Sequence, residues 1–426
     1  MKAGAASQGP AAAPPNAWRW RILLEAPHRL AFFLALIVLA VAGLCWAAVQ
    51  LDRAGAGFGL HFAVSPTLTH SAVMTFGFLP LFFSGFLFTA GPKWLGTPAP
   101  SARQIMASLL LYTSGWVLWL LAGHVHRVLA GASLLLALAG LAAVTLRFWH
   151  LVLASRVPDR VHAKAIGAAL AVGCASLAGL AVAVLVDSPG LARAFVLTGL
   201  WGFVVVVFAT VAHRMIPFFT SSALPMVNAW RPFWALWLLL SIAAFEAAAV
   251  WVETFTAPTT GWLLFRGGLE LSAAAVLIWL VFAWGLVQSL KLRLLAMLHL
   301  GFLWLGLGLG LSALAQLSAA VTGTAVLPLA ALHAVTIGCL ASLMLAMVTR
   351  VSCGHSGRPL VADNPVWLLF WLLQATAVLR IAATVPAAPA QGLLVAAAAL
   401  WAALMLVWGL RYGSWYGRAR TDGQPG

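Results

Sequence analysis

Long apolar stretches, separated by short polar and mostly basic segments, dominate this amino-acid sequence. An apolar stretch of about 18 residues or more is long enough to cross the hydrocarbon core of a bilayer as a helix. The stretches are continuous rather than alternating, which favours helices over the strands of a membrane barrel. The sequence therefore predicts an all-α, polytopic transmembrane helix bundle of about twelve spans. The predicted spans cover residues 30–49, 68–90, 105–123, 128–148, 164–186, 192–213, 231–252, 263–286, 294–317, 326–350, 365–386 and 391–411.

The composition supports the same fold class. Of the 426 residues, 63% are hydrophobic and 8% are charged, whereas soluble domains contain about 45–50% apolar and about 25% charged residues. The 9 acidic residues are too few to solubilise a chain of this length, so the lipid bilayer is the expected environment. The net charge of +15 is spread between the apolar stretches. It therefore indicates membrane orientation rather than nucleic-acid binding.

The distribution of basic residues predicts the topology. If the N-terminus is cytoplasmic, most of the 24 Lys and Arg residues fall on the cytoplasmic side, as membrane proteins generally require. This asymmetry agrees with an even number of spans and with two cytoplasmic termini. The predicted organisation is a disordered cytoplasmic N-terminal tail (1–29), a membrane domain (30–411) and a cytoplasmic C-terminal tail (412–426).

The second, sixth and tenth spans share a feature at their ends. Each is followed by a basic turn that contains Gly or Pro, at residues 91–94, 213–217 and 350–355. One such turn after every fourth span hints at three four-helix units, although the sequences of the units are too different to establish a repeat.

Histidines are the main candidates for chemistry. Ionisable side chains inside a bilayer are costly and usually face the interior of the helix bundle, so each is a functional candidate. His70 and His333 are predicted to form an outer pair at similar depth. An inner trio near the cytoplasmic side consists of His213, His299 and His355. Three further histidines are predicted outside the spans, as solvated loop residues: His28, His61 and His162.

Imidazoles held in this way are typical of metal sites. Neutral imidazole is the commonest ligand of transition metals and a standard axial ligand of haem iron. Two facing helices that each offer one histidine can hold a haem, which favours His70 and His333 as its ligands. Three histidines around one inner site would suit copper. The alternative is that each histidine only hydrogen-bonds to a neighbouring helix.

Arg266 lies within the eighth predicted span. Arg266 and Glu270 are one helical turn apart in the eighth span, which is the spacing of an intrahelical ion pair. Arg266 could instead neutralise a haem propionate at the outer face, where Glu246 and Glu253 of the seventh span are nearby. Of these two interpretations, we favour the ion pair.

Three segments of the chain resemble the NnrS family of bacterial inner-membrane proteins. They are HSAVMTFGFLPLFFSGFLFTAGPKW (70–94), HRMIPFFTSSAL (213–224) and HAVTIGCLASLMLAMVTRVSCGHSGR (333–358). The stretch 299–304 also resembles the ninth span of the family. The resemblance implies a haem- and copper-containing protein that is tied to protection against nitric oxide and nitrosative stress.

Residue by residue, the resemblance singles out the histidines that lie in family motifs, which are His70, His299, His333 and His355. His213 matches the family pattern less well. In one branch of the family the motif of the second span reads HxHEM. Ala72 and Val73 replace the second His and the Glu in this chain, which removes one possible ligand.

We therefore expect a haem- and copper-binding protein of the nitric oxide response, which binds NO or protects metal centres from it. The sequence identifies no electron donor, since it has no CxxCH motif and no cysteine cluster for iron and sulfur, and it assigns no catalytic residue. One alternative is a distant relative of the respiratory haem–copper oxidases or NO reductases, although the chain lacks an adjacent His-His pair. The other is a transporter or permease that uses Arg266, Glu270 and Glu246 as a substrate or proton site.

Overall fold

The computed structural model describes residues 17–386 and 388–424. Regular secondary structure in these residues is entirely helical, and twelve helices are long and apolar enough to cross a membrane. The predicted fold class and the predicted number of spans are therefore confirmed. Numbered α1 to α12 in chain order, the helices are Pro27–Ala56, Pro66–Leu95, Ala102–Val125, Arg127–Ala154, Val161–Leu185, Pro189–Ala223, Phe233–Phe255, Thr260–Ala283, Arg293–Thr322, Ala330–His355, Asn364–Ala382 and Ala390–Tyr416.

Local signals in the sequence explain where several helices begin and end. Pro27 occupies the first turn of α1, where its missing N–H costs nothing and its fixed φ suits the helix. The side chain of Ser65 accepts a hydrogen bond from the Leu68 amide at 3.2 Å and caps α2. Gly96, with φ of +60°, ends the same helix. The first helix consequently begins at Pro27 rather than at residue 30.

Residues 1–16 of the predicted N-terminal tail lie outside the described residues. The rest of that segment packs against the bundle: Trp20–Leu24 forms a 3-10 helix with Leu23 buried. At the other end, α12 continues to Tyr416, beyond the predicted limit at residue 411.

The first and last helices are joined at one face of the bundle. A guanidinium nitrogen of Arg29 donates hydrogen bonds to the carbonyl oxygens of Tyr416 and Arg418, at 3.0 Å and 2.7 Å. The Arg19 amide donates to the carbonyl oxygen of Gly417 at 2.7 Å. We call this the terminal face and the opposite one the distal face. Placing both ends of the described chain on one face agrees with an even number of spans.

The second, sixth and tenth helices form the centre of the bundle. Phe83 of α2 packs against Phe203 and Phe208 of α6, with ring centroids 5.8 Å and 5.2 Å apart. From α10, the Arg350 guanidinium lies 3.9 Å from the centroid of the Phe219 ring of α6. All three helices contain a π-helical segment, at Val73–Gly77, Leu200–Val205 and Ala334–Ala341. Such segments are rare and often lie at functional sites, so the centre of the bundle is where a site is expected.

Glycines allow α3 and α4 to pack backbone against backbone. A Cβ atom on Gly140 would lie 2.6 Å from the Tyr112 nitrogen and 2.7 Å from the Ser108 oxygen. We expect Gly140→Ala to cost about 1–3 kcal/mol through overpacking, which outweighs the gain in helix propensity of about 1 kcal/mol. Gly268→Ala is the matched control, because nothing lies within 4 Å of that position.

The measurement is the melting temperature of each purified variant in one detergent. We expect a lower value for Gly140→Ala and an unchanged or slightly higher value for Gly268→Ala. A Gly140→Ala protein that melts at or above the wild-type temperature would contradict close backbone packing at this crossing.

Candidate functional site

The predicted outer pair of histidines is brought together near the distal face. His70 lies in the first turns of α2, and His333 lies in the first turn of α10. The two imidazoles are close enough to interact electrostatically. The indole of Trp46 on α1 stacks on the His70 ring, with centroids 3.8 Å apart and planes 14° apart. His70 is therefore approached by α1, the preceding helix of the chain, and by α10, which is distant in sequence.

Hydrogen bonds define the free nitrogen atoms of this pair. Nδ1 of His333 lies 2.8 Å from the carbonyl oxygen of Leu329. A carbonyl oxygen only accepts, so Nδ1 carries the hydrogen and the neutral ring presents the lone pair of Nε2. Nδ1 of His70 is buried and has no hydrogen-bond partner. An imidazole fixed by a carbonyl through one nitrogen, with the other free, is the usual arrangement of a metal ligand.

Basic side chains lie near both histidines of the outer pair, and an apolar pocket adjoins His70. Arg53 and Arg380 lie within electrostatic range of His70, and Arg380 also lies within range of His333. His70 lines a pocket of about 310 Å³ together with Trp46 and Cys45. The surroundings of the pair therefore combine apolar walls with positive charge towards the distal face.

The predicted inner trio does not form one cluster, and this prediction is corrected. His355 packs against His28 of α1, with ring centroids 4.4 Å apart. The ring of His213 hydrogen-bonds to the ring of His162 at 3.1 Å. The ring of His299 hydrogen-bonds to the hydroxyl of Thr220 at 3.0 Å. Within the described ranges, no three His, Cys, Asp or Glu side chains are grouped so that they could hold a metal ion. The reason is geometric: equal depth along separate helices does not make them neighbours.

Two of the histidines that were predicted in solvated loops are buried. His28 and His162 are 3% and 4% exposed, because α1 begins at Pro27 and α5 begins at Val161. The proline before His28 was the signal that could have placed it inside a helix. His61 is exposed, as predicted.

The pair His162–His213 has a definite order of donors. Nε2 of His213 lies 3.1 Å from the carbonyl oxygen of Pro232 and must donate to it. Its Nδ1 therefore accepts from Nε2 of His162. This leaves Nδ1 of His162 with a lone pair, buried and without a partner. His213 thus orients His162, and the free nitrogen belongs to His162.

An apolar pocket of about 490 Å³ lies between α1, α2, α6 and α10. Its walls include Phe32 and Val351, each one helical turn from His28 and His355 respectively. Met344 and Met347 also line this pocket, and their thioethers face aromatic and aliphatic side chains. The pair His28–His355 therefore lies at the end of this pocket towards the terminal face.

Arg266 is occupied by three carboxylates. Its guanidinium contacts Glu246, Glu253 and Glu270 at 2.6 Å, 2.5 Å and 2.8 Å. Ser312 of α9 donates a further hydrogen bond to Glu270 at 2.9 Å. All three nitrogens of the guanidinium are used, and an added haem propionate would face three acidic groups. The structure therefore favours the ion pair over the propionate role that was considered for Arg266.

Each histidine pair has at least one member on a segment that suggested the family resemblance. A model of the NnrS family, described as NnrS protein, matches residues 22–420. The chain belongs to the NnrS family. No curated protein matches the chain.

The motifs of this NnrS-family protein converge in the fold. The segments 70–94, 213–224 and 333–358 form most of α2, the end of α6 and nearly all of α10, which are the three central helices. Ala72 and Val73, which replace the second His and the Glu of the HxHEM pattern, are 0% and 1% exposed in the core. The position of that second histidine is thus filled by packed apolar side chains.

Proposed function

We propose that this NnrS-family membrane protein binds haem and copper and acts in the response to nitric oxide, either by binding NO or by protecting metal centres from it. One observation carries the proposal. His333, with Nδ1 held by a carbonyl and Nε2 free, lies within electrostatic range of His70, whose buried Nδ1 has no partner. Two neutral imidazoles from facing helices are a sufficient ligand set for haem iron.

The residues around this pair fit a haem. Trp46 stacked on His70 would hold the ring of that ligand in place. Arg53 and Arg380, rather than Arg266, are the basic groups positioned to neutralise propionates. When bound, ferrous haem would supply an iron atom that binds NO, provided that NO replaces one of the two imidazoles. Nitric oxide is small and apolar, so it reaches such a site through lipid.

The inner pairs suit single copper ions better than haem. Imidazole nitrogens bind a metal at about 2.0–2.1 Å, and two axial ligands lie on opposite sides of a porphyrin. The rings of His28 and His355 are 4.4 Å apart, which leaves no room for a macrocycle between them. A soft ion such as Cu(I) needs few ligands and accepts imidazole. We therefore assign copper to His355 and His28, with the free nitrogen of His162 as a second candidate.

In this assignment His213 supports His162 rather than binding the metal. His299 is buried beside Thr220 and stays a candidate ligand only because it lies in a family motif.

We further propose that the membrane is the bacterial inner membrane and that the terminal face is cytoplasmic. Arg29 and the other basic residues at the helix ends on that face support this orientation.

The test is a spectrum and a metal analysis of the detergent-purified protein from haem-replete cells. We expect a haem signal in the reduced-minus-oxidised spectrum, and both iron and copper in the preparation. His355→Ala and His28→Ala should lower copper severalfold and leave iron unchanged, since each removes one ligand of the proposed copper pair.

The matched control is His61→Ala, which removes an exposed histidine and should change neither metal. Equal loss of iron and copper in His355→Ala would contradict separate sites. A preparation without haem and without copper would contradict the proposed function and favour the transporter alternative.

A further inference from the structure

The group of Arg266, Glu246, Glu253 and Glu270 lies away from the histidine pairs, between α7, α8 and α9. Glu246 is nine residues from the distal end of α7, and Glu270 is ten residues from the distal end of α8. At 1.5 Å per residue, both carboxylates are about 15 Å deep, near the middle of a hydrocarbon core of about 30 Å. Glu253, by contrast, is in the last turn of α7.

The charges in this group do not balance. Three carboxylates face one guanidinium, and Arg266 is the only basic group of the described chain within 4.0 Å of any of them. The side chain of Glu253 is 27% exposed near the distal face, so solvent can compensate its charge. The side chains of Glu246 and Glu270 are only 2% and 1% exposed. One surplus negative charge would therefore remain buried on this pair.

The unused oxygens of the pair show where that charge is compensated. Oε1 of Glu246 and Oε2 of Glu270 are buried and have no hydrogen-bond partner, and the two carboxylates lie within hydrogen-bonding range of each other. An isolated charge in an apolar interior is neutralised rather than buried. Two carboxylates that share a site retain one proton for the same reason.

We propose that Glu246 and Glu270 form a proton-binding site that holds one proton between them at neutral pH. The O–H of one carboxyl group donates to the other carboxylate, which gives both free oxygens a partner. Arg266 fixes the other oxygen of each group, and Ser312 adds a hydrogen bond to Glu270. Glu253 contacts the same guanidinium and is the hydrated group nearest the distal face, so it marks the side from which the proton enters.

A proton fits this site better than a metal cation. Ca²⁺ and Mg²⁺ require about six oxygen ligands, and only two buried carboxylate oxygens are free here. The adjacent guanidinium also repels a cation. The site contains no histidine, so the test of this proposal does not depend on whether the protein binds haem or copper.

Infrared spectroscopy of the purified full-length protein tests the proposal. The carbonyl stretch of a protonated carboxyl group is resolved from that of a carboxylate, and labelling with ¹³C-glutamate assigns it. At pH 7 we expect a band that corresponds to one protonated glutamate per chain. The chain has four glutamates, and Glu25 is exposed, so a labelled band at this pH comes from the group around Arg266, and the Gln variants assign it within that group.

Glu246→Gln and Glu270→Gln should each abolish the band, because the remaining carboxylate is then neutralised by Arg266. Glu253→Gln is the matched control in the same cluster and should retain it. Absence of the band from the wild-type protein would overturn the proposal, as would its persistence in both Gln variants. Loss of the wild-type band on replacing K⁺ by Na⁺ at constant ionic strength would also overturn it, in favour of a sodium site.

Discussion

The His333→Ala protein is expected to be purified without a haem spectrum. His333 supplies an imidazole near the distal face whose Nδ1 is fixed by the carbonyl oxygen of Leu329, so that Nε2 is free for the iron. After the substitution, only His70 remains of the proposed pair of haem ligands. We expect haem per chain to fall by more than about 100-fold, which exceeds the loss of about 10–100-fold that is typical of removing a residue that only supports a metal ligand.

A loss of haem has to be separated from misfolding. His333→Gly leaves space for free imidazole, which should restore the haem spectrum if the side chain acts as a ligand. The copper content of both variants should equal that of the wild-type protein, because the pair His28–His355 lies at the other face of the bundle. Wild-type haem content in His333→Ala would rule out this residue as the ligand.

The second large effect is expected for Arg266→Met. Removing the guanidinium leaves three carboxylates without a counter-charge, two of them at most 2% exposed. Removing one partner of a buried ion pair typically costs about 3–5 kcal/mol. We expect a sharp decrease in melting temperature and in the yield of monodisperse protein in detergent.

Arg127→Met is the matched control, since Arg127 pairs with Asp187 at the surface, where the two side chains are 40% and 67% exposed. Exposed ion pairs contribute about 0–1 kcal/mol, so this variant should behave like the wild-type protein. Adding Glu246→Gln and Glu270→Gln to Arg266→Met should restore part of the stability. If the Arg266→Met protein were as stable as the Arg127→Met protein, burial of the three carboxylates would not require this arginine.

Local patterns in the sequence predict one contact of Arg266 but not the other two. The intrahelical contact of Arg266 with Glu270 follows from their spacing, because residues four apart lie on one face of a helix. Its contacts with Glu246 and Glu253 depend on the packing of α7 against α8, for which nearness along the chain was the only signal. The surplus of negative charge became visible only when the three carboxylates were found on one guanidinium.

The sequence alone determined the solvent, the number of spans and the approximate depth of His70, His299 and His333, because apolar length and helical rise are properties of each segment by itself. The tertiary structure decided which histidines meet. His355 pairs with His28 and His213 with His162, although both partners had been predicted in solvated loops. A helix that satisfies its own backbone hydrogen bonds can pack beside any other helix in lipid, so the choice of neighbours depends on side-chain fit across the whole bundle.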